Sequence, residues 1–373
     1  MDKKKILIVS SSFYPENSPR SNRTTELAKE FAKQGHKVTV LTPKKEEHIE
    51  FEKTHTLTIK DLGIPLFKGI NIDRRNRYAS LFFKALRRGL NLLLEYPQIG
   101  IMFLVTKKIK NESGYNLMIS IAVPYPVHWG VATRWNNKQN IAKTWVADCG
   151  DPYMGCETDS FKKPFYFKYV EKWFMRKADH ITIPVESART AYYQEFHHKI
   201  SIIPQGFKFE LSNSINTKPK DDIPIFAYAG GFLPNIRDPR QFLNYLTTLN
   251  INFKFYIFTK SEEILNPYKD LLGEKLDIRS YIPRKKLLEV LSSMHFLVNF
   301  DNNTNTAIPS KLIDYAISGK PILNIRREFD KNAIDQFLSG DYRHAYQINN
   351  IDQYRIENVC SKFLSLTSSN TKR

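Results

Sequence analysis

The sequence holds few cysteines. Its 373 residues include only Cys149, Cys156 and Cys360. They form no Cys-x-x-Cys pair, and no histidines flank them at metal-ligand spacing. A zinc site and a disulfide framework are therefore not expected, and a reduced, cytosolic setting is. Long apolar runs are also missing. The nearest, "LNLLLEYPQIGIMFLV", is interrupted by Glu95 and Pro97, so no spanning helix is expected. At the start, the apolar run Ile6–Val9 is too short for a signal-peptide core and reads as a strand. No G-x-G-x-x-G follows that strand, which counts against a dinucleotide-dependent dehydrogenase. The chain has no G-x-x-x-x-G-K-[ST], no H-E-x-x-H and no G-x-S-x-G. It has no Asp-x-Asp either, so no divalent-metal clamp for a diphosphate is legible. Acidic residues are in deficit: 38 Asp and Glu stand against 56 Lys and Arg, a formal charge of +18. Such a balance implies polyanionic company, whether nucleic acid, an acidic membrane surface or phosphorylated substrates.

What is present is an alternation of short β-branched runs and amphipathic stretches. "KILIVS" (5–10), "KVTVLT" (37–42), "NLMISI" (116–121), "TWVAD" (144–148), "HITIPV" (180–185) and "KISIIP" (199–204) read as strands. Between the first two, Ser21 is expected to cap a helix carrying Leu27 and Phe31, with Gly35 at its end. Helices are also expected around 166–177 and 188–196. A second alternation holds "IFAYA" (225–229), "FKFYIF" (253–258), "LDIRSYI" (276–282), "FLVNF" (296–300) and "PILNI" (321–325). The expected fold class is α/β, with two Rossmann-like domains built on parallel sheets. Residues 1–206 form the first and 225–351 the second; 207–224 is a polar linker and 352–373 ends in a helix.

Residues 71–110 break the pattern, with nine Lys and Arg against two acidic residues. Leu81, Phe82, Ala85 and Leu86 recur at helical spacing beside Arg74, Arg75, Arg77, Lys84, Arg87 and Arg88. A basic amphipathic helix of this kind suits an anionic membrane surface. A surface helix packed on its own domain is the plain alternative.

Candidate chemistry lies in loops after strands, where open α/β sheets bind ligands. After "FLVNF" comes a helix opening at "IPSKLIDYAISGKPIL". Lys311 sits in its first turn, where the helix dipole disfavours a cation. An anion bound at the helix start would offset that penalty. Asp314, one turn on, suits a ribose diol. A capped helix with a solvated lysine explains the same residues. After "IFAYA", Gly230 and Gly231 permit close backbone approach, and Arg237 can contact phosphate in a fork. In the first half, His128 and the pair Asp148 and Asp151 also follow strands. The histidine suits acid–base work and the carboxylates suit a hydroxyl. A core histidine and turn or capping carboxylates are equally compatible with the pattern.

Taken in order, "KILIVSSSFYPE", "ELAKEFAKQGHKVTVLTP", "DCGDPY", "KADHITIPVESA", "IIPQGF", "YAGGFLPNIRDP" and "IPSKLIDYAISGKPIL" resemble the retaining GT-B glycosyltransferases of family 4. The closest resemblance is to those that build bacterial surface polysaccharides such as capsule and lipopolysaccharide. The resemblance implies two Rossmann-like domains facing a cleft, the second binding a nucleoside-diphosphate sugar and the first an acceptor. The last helix would cross back to the first domain. Asp314 then matches the ribose-holding acid. Pro309, Ser310 and Lys311 match the segment beside the donor diphosphate, and Gly230, Gly231 and Arg237 the donor loop. His128 falls near the reacting sugar. Arg20 and Arg23 match the acceptor-side loop, with Asp148 and Asp151 beside it. Three positions depart from the family: Thr306 and Gly231 stand where glutamate and arginine are frequent, and Gly150 replaces an arginine. The implied reaction needs no metal and no cofactor. Its implied partners are a lipid-diphosphate-linked saccharide and the anionic inner membrane surface, where the protein would lie peripherally on the cytoplasmic side; nucleic acid is not expected. A nucleotide-sugar epimerase and a catalytically silent binding homologue are the alternatives.

Overall fold

The computed structural model describes residues 2–64, 66–67, 77–136, 140–155, 162–209, 223–301, 310–348 and 350–368. The chain folds as two units, Met1–Lys208 joined by Gln353–Arg373, and Phe209–Asp352.

The first unit holds a seven-stranded parallel sheet. Its strands are β1 (Lys5–Val9), β2 (Lys37–Thr42), β3 (Thr58–Asp61), β4 (Tyr115–Ala122), β5 (Ala142–Cys149), β6 (His180–Ile183) and β7 (Ile200–Ile202). They are ordered β3-β2-β1-β4-β5-β6-β7, so chain direction switches between β1 and β4. The helices are α1 (Pro19–Lys33), α2 (Glu47–His55), α3 (Arg77–Leu94), α4 (Ile99–Ile109), α5 (Pro126–Arg134) and α6 (Phe167–Lys177). Parallel strands buried on both faces need continuous apolar runs, which is why they were legible. Ile6 and Ile8 pack to one side, Leu7 and Val9 to the other. β3 was not anticipated: "TIKD" buries only Ile59 and sits at the sheet edge.

Two local expectations are corrected. Ser18, not Ser21, caps α1: its hydroxyl accepts from the Ser21 amide at 3.2 Å, and Pro19 takes the first turn. The helix expected over 188–196 is two 3₁₀ turns, Glu186–Ala191 and Gln194–Lys199, separated by extended backbone at Tyr192 and Tyr193. The basic amphipathic helix expected within 71–110 is α3, and among the described residues of that stretch α4 follows it after a break where Glu95 takes φ 54°. Arg74 and Arg75 lie outside the described residues.

The second unit holds β8 (Ile225–Ala229), β9 (Lys254–Phe258), β10 (Leu276–Arg279), β11 (Phe296–Phe300) and β12 (Ile322–Ile325). Their order β10-β9-β8-β11-β12 switches direction between β8 and β11. Its helices are α7 (Arg240–Thr247), α8 (Asn266–Leu272), α9 (Arg284–Ser292), α10 (Ser310–Ser318) and α11 (Lys331–Leu338). The final helix, α12 (Ile356–Ser365), packs Val359, Cys360 and Phe363 into the same core as Leu27 and Phe31 of α1. Gly206 makes room for it, since a Cβ there would meet Ile356 Cδ1 at 2.4 Å.

Candidate functional site

The direction switch of the second unit sets the ends of β8 and β11 side by side, because the two strands are paired neighbours. Such a switch point opens a crevice at the carboxyl ends of the strands. The loop after β8 turns at Gly230, with φ +150° and a would-be Cβ 3.0 Å from the Tyr228 hydroxyl, so a side chain there is disfavoured twice. That hydroxyl donates to the Gly231 carbonyl at 2.9 Å, pinning the loop. The Leu233 amide donates to the Arg237 carbonyl at 3.2 Å and closes it.

After β11, α10 opens at Ser310 and places Lys311 in its first turn. The lysine is not solvated. Its ammonium stands 4.6 Å from the centre of the Tyr228 ring and 3.5 Å from the hydroxyl. Burial, reinforced by the nearby Arg237 charge, pulls its pKa down to about 7; Asp301 acts in the opposite direction. The Arg237 Nε is buried with no hydrogen-bond partner among the described residues. Two cations thus converge on a glycine turn and a helix N-terminus. Their repulsion is unfavourable until an anion enters.

Asp314 is largely buried, and burial raises its pKa against the opposing pull of Arg284. Arg284, at the start of α9, holds its Oδ1 at 2.6 Å from Nη2 and 2.8 Å from Nε. Both of these contacts run through Oδ1, and a carboxylate can accept further hydrogen bonds. Tyr228 and Arg284 were missed from sequence. The first is signalled only by lying two residues before Gly230 on a strand, and the second by nothing local. Thr306 and Pro309 lie outside the described residues, and of Ser310 only its backbone is described.

In the first unit the expected set separates. Arg23 and Asp148 form a buried two-bond pair at 2.8 and 2.7 Å. Thr182 donates to the same carboxylate at 2.6 Å, and Arg23 also donates to the carbonyls of Ile203 and Pro204. Burial alone would raise the Asp148 pKa, but Arg23 and Thr182 together lower it. The expectation that both residues meet an acceptor is therefore corrected: each is consumed by the other inside the core.

His128 is corrected as well. It is fully buried, with Nδ1 2.8 Å from the Ser120 hydroxyl and Nε2 3.6 Å from Cys149 Sγ. Its ring stacks on Phe174, and burial takes its pKa down to about 3. A neutral histidine with both nitrogens engaged braces β4, α5 and β5 rather than moving a proton at a substrate.

Arg20 and Asp151 do reach the surface and pair at 3.0 Å. The Arg20 guanidinium fills the space that a side chain at Gly150 would need, lying 1.7–1.8 Å from the would-be Cβ. At the position where the resembling family carries an arginine, this chain thus receives its guanidinium from α1.

No protein-family model matches the chain, and no curated protein matches it in sequence. Solved structures do. A glycosyltransferase from Rickettsia africae ESF-5 superposes with a TM-score of 0.63 at 13% identity, covering 100% of both chains. Anabaena Alr3699/HepE in complex with UDP gives 0.63 at 11% identity, over 98% of this chain and 100% of that one. The lipopolysaccharide outer core galactosyltransferase WaaB, in its apo form, gives 0.59 at 11% identity, over 98% and 99%. The fold is GT-B. At such identities the likeness carries the architecture, and the GT-B residues named above rest on their own geometry.

Proposed function

We propose that this chain is a retaining, metal-independent glycosyltransferase of the family 4 type. It moves a sugar from a nucleoside-diphosphate sugar to a hydroxyl of a lipid-diphosphate-linked saccharide in bacterial surface polysaccharide synthesis. One observation carries this: Lys311 and Arg237 converge on the Gly230–Gly231 turn and the start of α10, neither in a salt bridge among the described residues, with Asp301 opposing only part of their charge. A diphosphate supplies the missing charge. Asp314, one turn along the same helix, suits a ribose diol. The solved complexes of HepE with UDP and with UDP-glucose support a nucleotide sugar as the ligand class.

In this reading the protein stabilises the charge that develops on the departing diphosphate, and that diphosphate takes the acceptor proton on the same face of the sugar. No protein carboxylate is asked to act as nucleophile. Lys311, Arg237 and the α10 amides supply preorganised donors. On the acceptor side Arg20 and Asp151 remain, while Arg23, Asp148 and His128 serve structure.

The acceptor's lipid places the reaction at the cytoplasmic face of a membrane. The support is α3, whose positions 82–88 are all exposed, Phe82 at 64%, and which carries Lys84, Arg87 and Arg88. Phe82, Leu86, Leu93 and Leu94 on it are exposed among the described residues, which favours a membrane over the packed surface helix.

A thermal-shift screen of UDP, GDP, CMP, ADP and their sugars tests the donor site. One base is expected to raise the melting temperature, with its sugar raising it further. No shift with any nucleotide would overturn the assignment. Release of free isomerised sugar without acceptor would replace it with an epimerase.

A further inference from the structure

The segment 162–169 precedes and opens α6, and nothing in the catalytic reading uses it. Phe165 is 77% exposed and Tyr169, one turn later, is 66% exposed. Single exposed aromatics are ordinary, but contiguous ones mark a contact surface. These are contiguous with α3. The Tyr166 hydroxyl donates to the Leu93 carbonyl near the end of α3. The next element of the chain after α3, the buried Glu95, receives both the Lys163 ammonium and the Tyr153 hydroxyl, the latter at 2.9 Å. The loop and the helix are thus stapled into one face, although they lie about 70 residues apart in sequence.

The charge of that face is one-sided. Lys84, Arg87, Arg88, Lys162 and Lys168 are exposed along it, and neither 77–94 nor 162–169 contains an Asp or Glu. Aromatic rings flanked by cations and free of carboxylates suit a bilayer interface with anionic headgroups. Such a face suits lying on a membrane rather than crossing it. No single helix among the described residues is long and apolar enough to cross, and α3 and α4 approach that composition only as a pair bent by 46°. α4 also gives Leu104, Val105 and Ile109 to the unit's own core.

We propose that α3 and residues 162–169 form one membrane-docking face, with Phe165 and Tyr169 as the anchors that enter the interface of an anionic bilayer. The proposal rests on the membrane reading of α3 and adds the second element to it.

The test uses the full chain with vesicles of phosphatidylglycerol and phosphatidylcholine, compared with phosphatidylcholine alone. The wild type is expected to co-sediment with the anionic vesicles and to be released by salt. The double variant Phe165→Ser/Tyr169→Ser, altered only at exposed positions, should bind about tenfold more weakly with an unchanged melting temperature. In Phe165→Trp, brominated lipid should quench the added fluorescence. If the wild type binds and the double variant binds equally well, without quenching at position 165, the anchors are wrong while the role of α3 stands. If the wild type does not bind, both fall. Concentration-dependent self-association that the double variant abolishes, without vesicle binding, would assign the face to a second copy of the chain and overturn the proposal.

Discussion

Lys311 stands with its ammonium 4.6 Å from the ring centre of Tyr228, a residue 83 positions earlier in the chain. The pair joins β8 to α10 at the direction switch. A cation over an aromatic face is attracted by the ring quadrupole, worth about 2 kcal/mol when desolvated. That attraction holds a buried charge in place without neutralising it, which leaves the site electropositive for a ligand.

Removing either cation should abolish most turnover. Lys311→Ala and Arg237→Ala are each expected to lower kcat by about 10²–10³ with the circular dichroism spectrum retained. Steady-state kinetics with the nucleotide sugar found by thermal shift would decide it. Near-normal turnover in both variants would sink the donor-site assignment.

Donor binding should weaken as pH rises through neutrality. In the free site the Lys311 pKa is held down to about 7 by burial and Arg237. A bound diphosphate raises it, so the complex holds a proton that the free protein has begun to lose. Affinity is then greatest below about pH 7 and falls above it, up to the raised pKa of the complex. Calorimetry in buffers of different ionisation enthalpy should show net proton uptake near pH 8, and Lys311→Met should remove it. A pH-independent affinity would refute the coupling.

The Arg23–Asp148 pair should matter to stability rather than to the acceptor. Asp148→Ala leaves a buried guanidinium without its counter-charge, at a cost of about 3–5 kcal/mol. Arg23 also lies 5.4 Å from the Phe363 ring, so the loss should loosen α12 as well. Urea unfolding measures the first effect, and hydrogen exchange in α12 the second. A stable Asp148→Ala protein with a raised acceptor KM would restore the acceptor-side role.

Two glycines should respond oppositely to alanine. At Gly130 a Cβ would meet the Met102 carbonyl at 2.7 Å and Val105 Cβ at 2.6 Å, both fixed parts of the α4–α5 contact. Gly130→Ala is expected to cost about 1–3 kcal/mol. At Gly150 the obstacle is the movable end of Arg20. Gly150→Ala should leave the melting temperature nearly unchanged while detaching Arg20 from Asp151, with the consequence appearing in acceptor KM.

The pattern of residues along the chain made every strand but the edge strand β3 legible, because a parallel strand buried on both faces must be a continuous apolar run. "KVTVLT" and "FLVNF" coincide with β2 and β11. It also determined that Gly230, Arg237, Lys311 and Asp314 stand in loops or helix starts after strands, since glycines, caps and charges punctuate such places locally. What it did not determine was who meets whom. Arg23 and Asp148 are 125 residues apart, Arg284 and Asp314 are 30, and Lys311 and Tyr228 are 83. Charge patterns along a chain cannot tell a surface acid from one that a distant guanidinium draws into the core. Only the tertiary fold, by fixing strand order and burial, made Asp148 and His128 structural, stapled 162–169 to α3, and brought Lys311 and Arg237 together outside any salt bridge among the described residues.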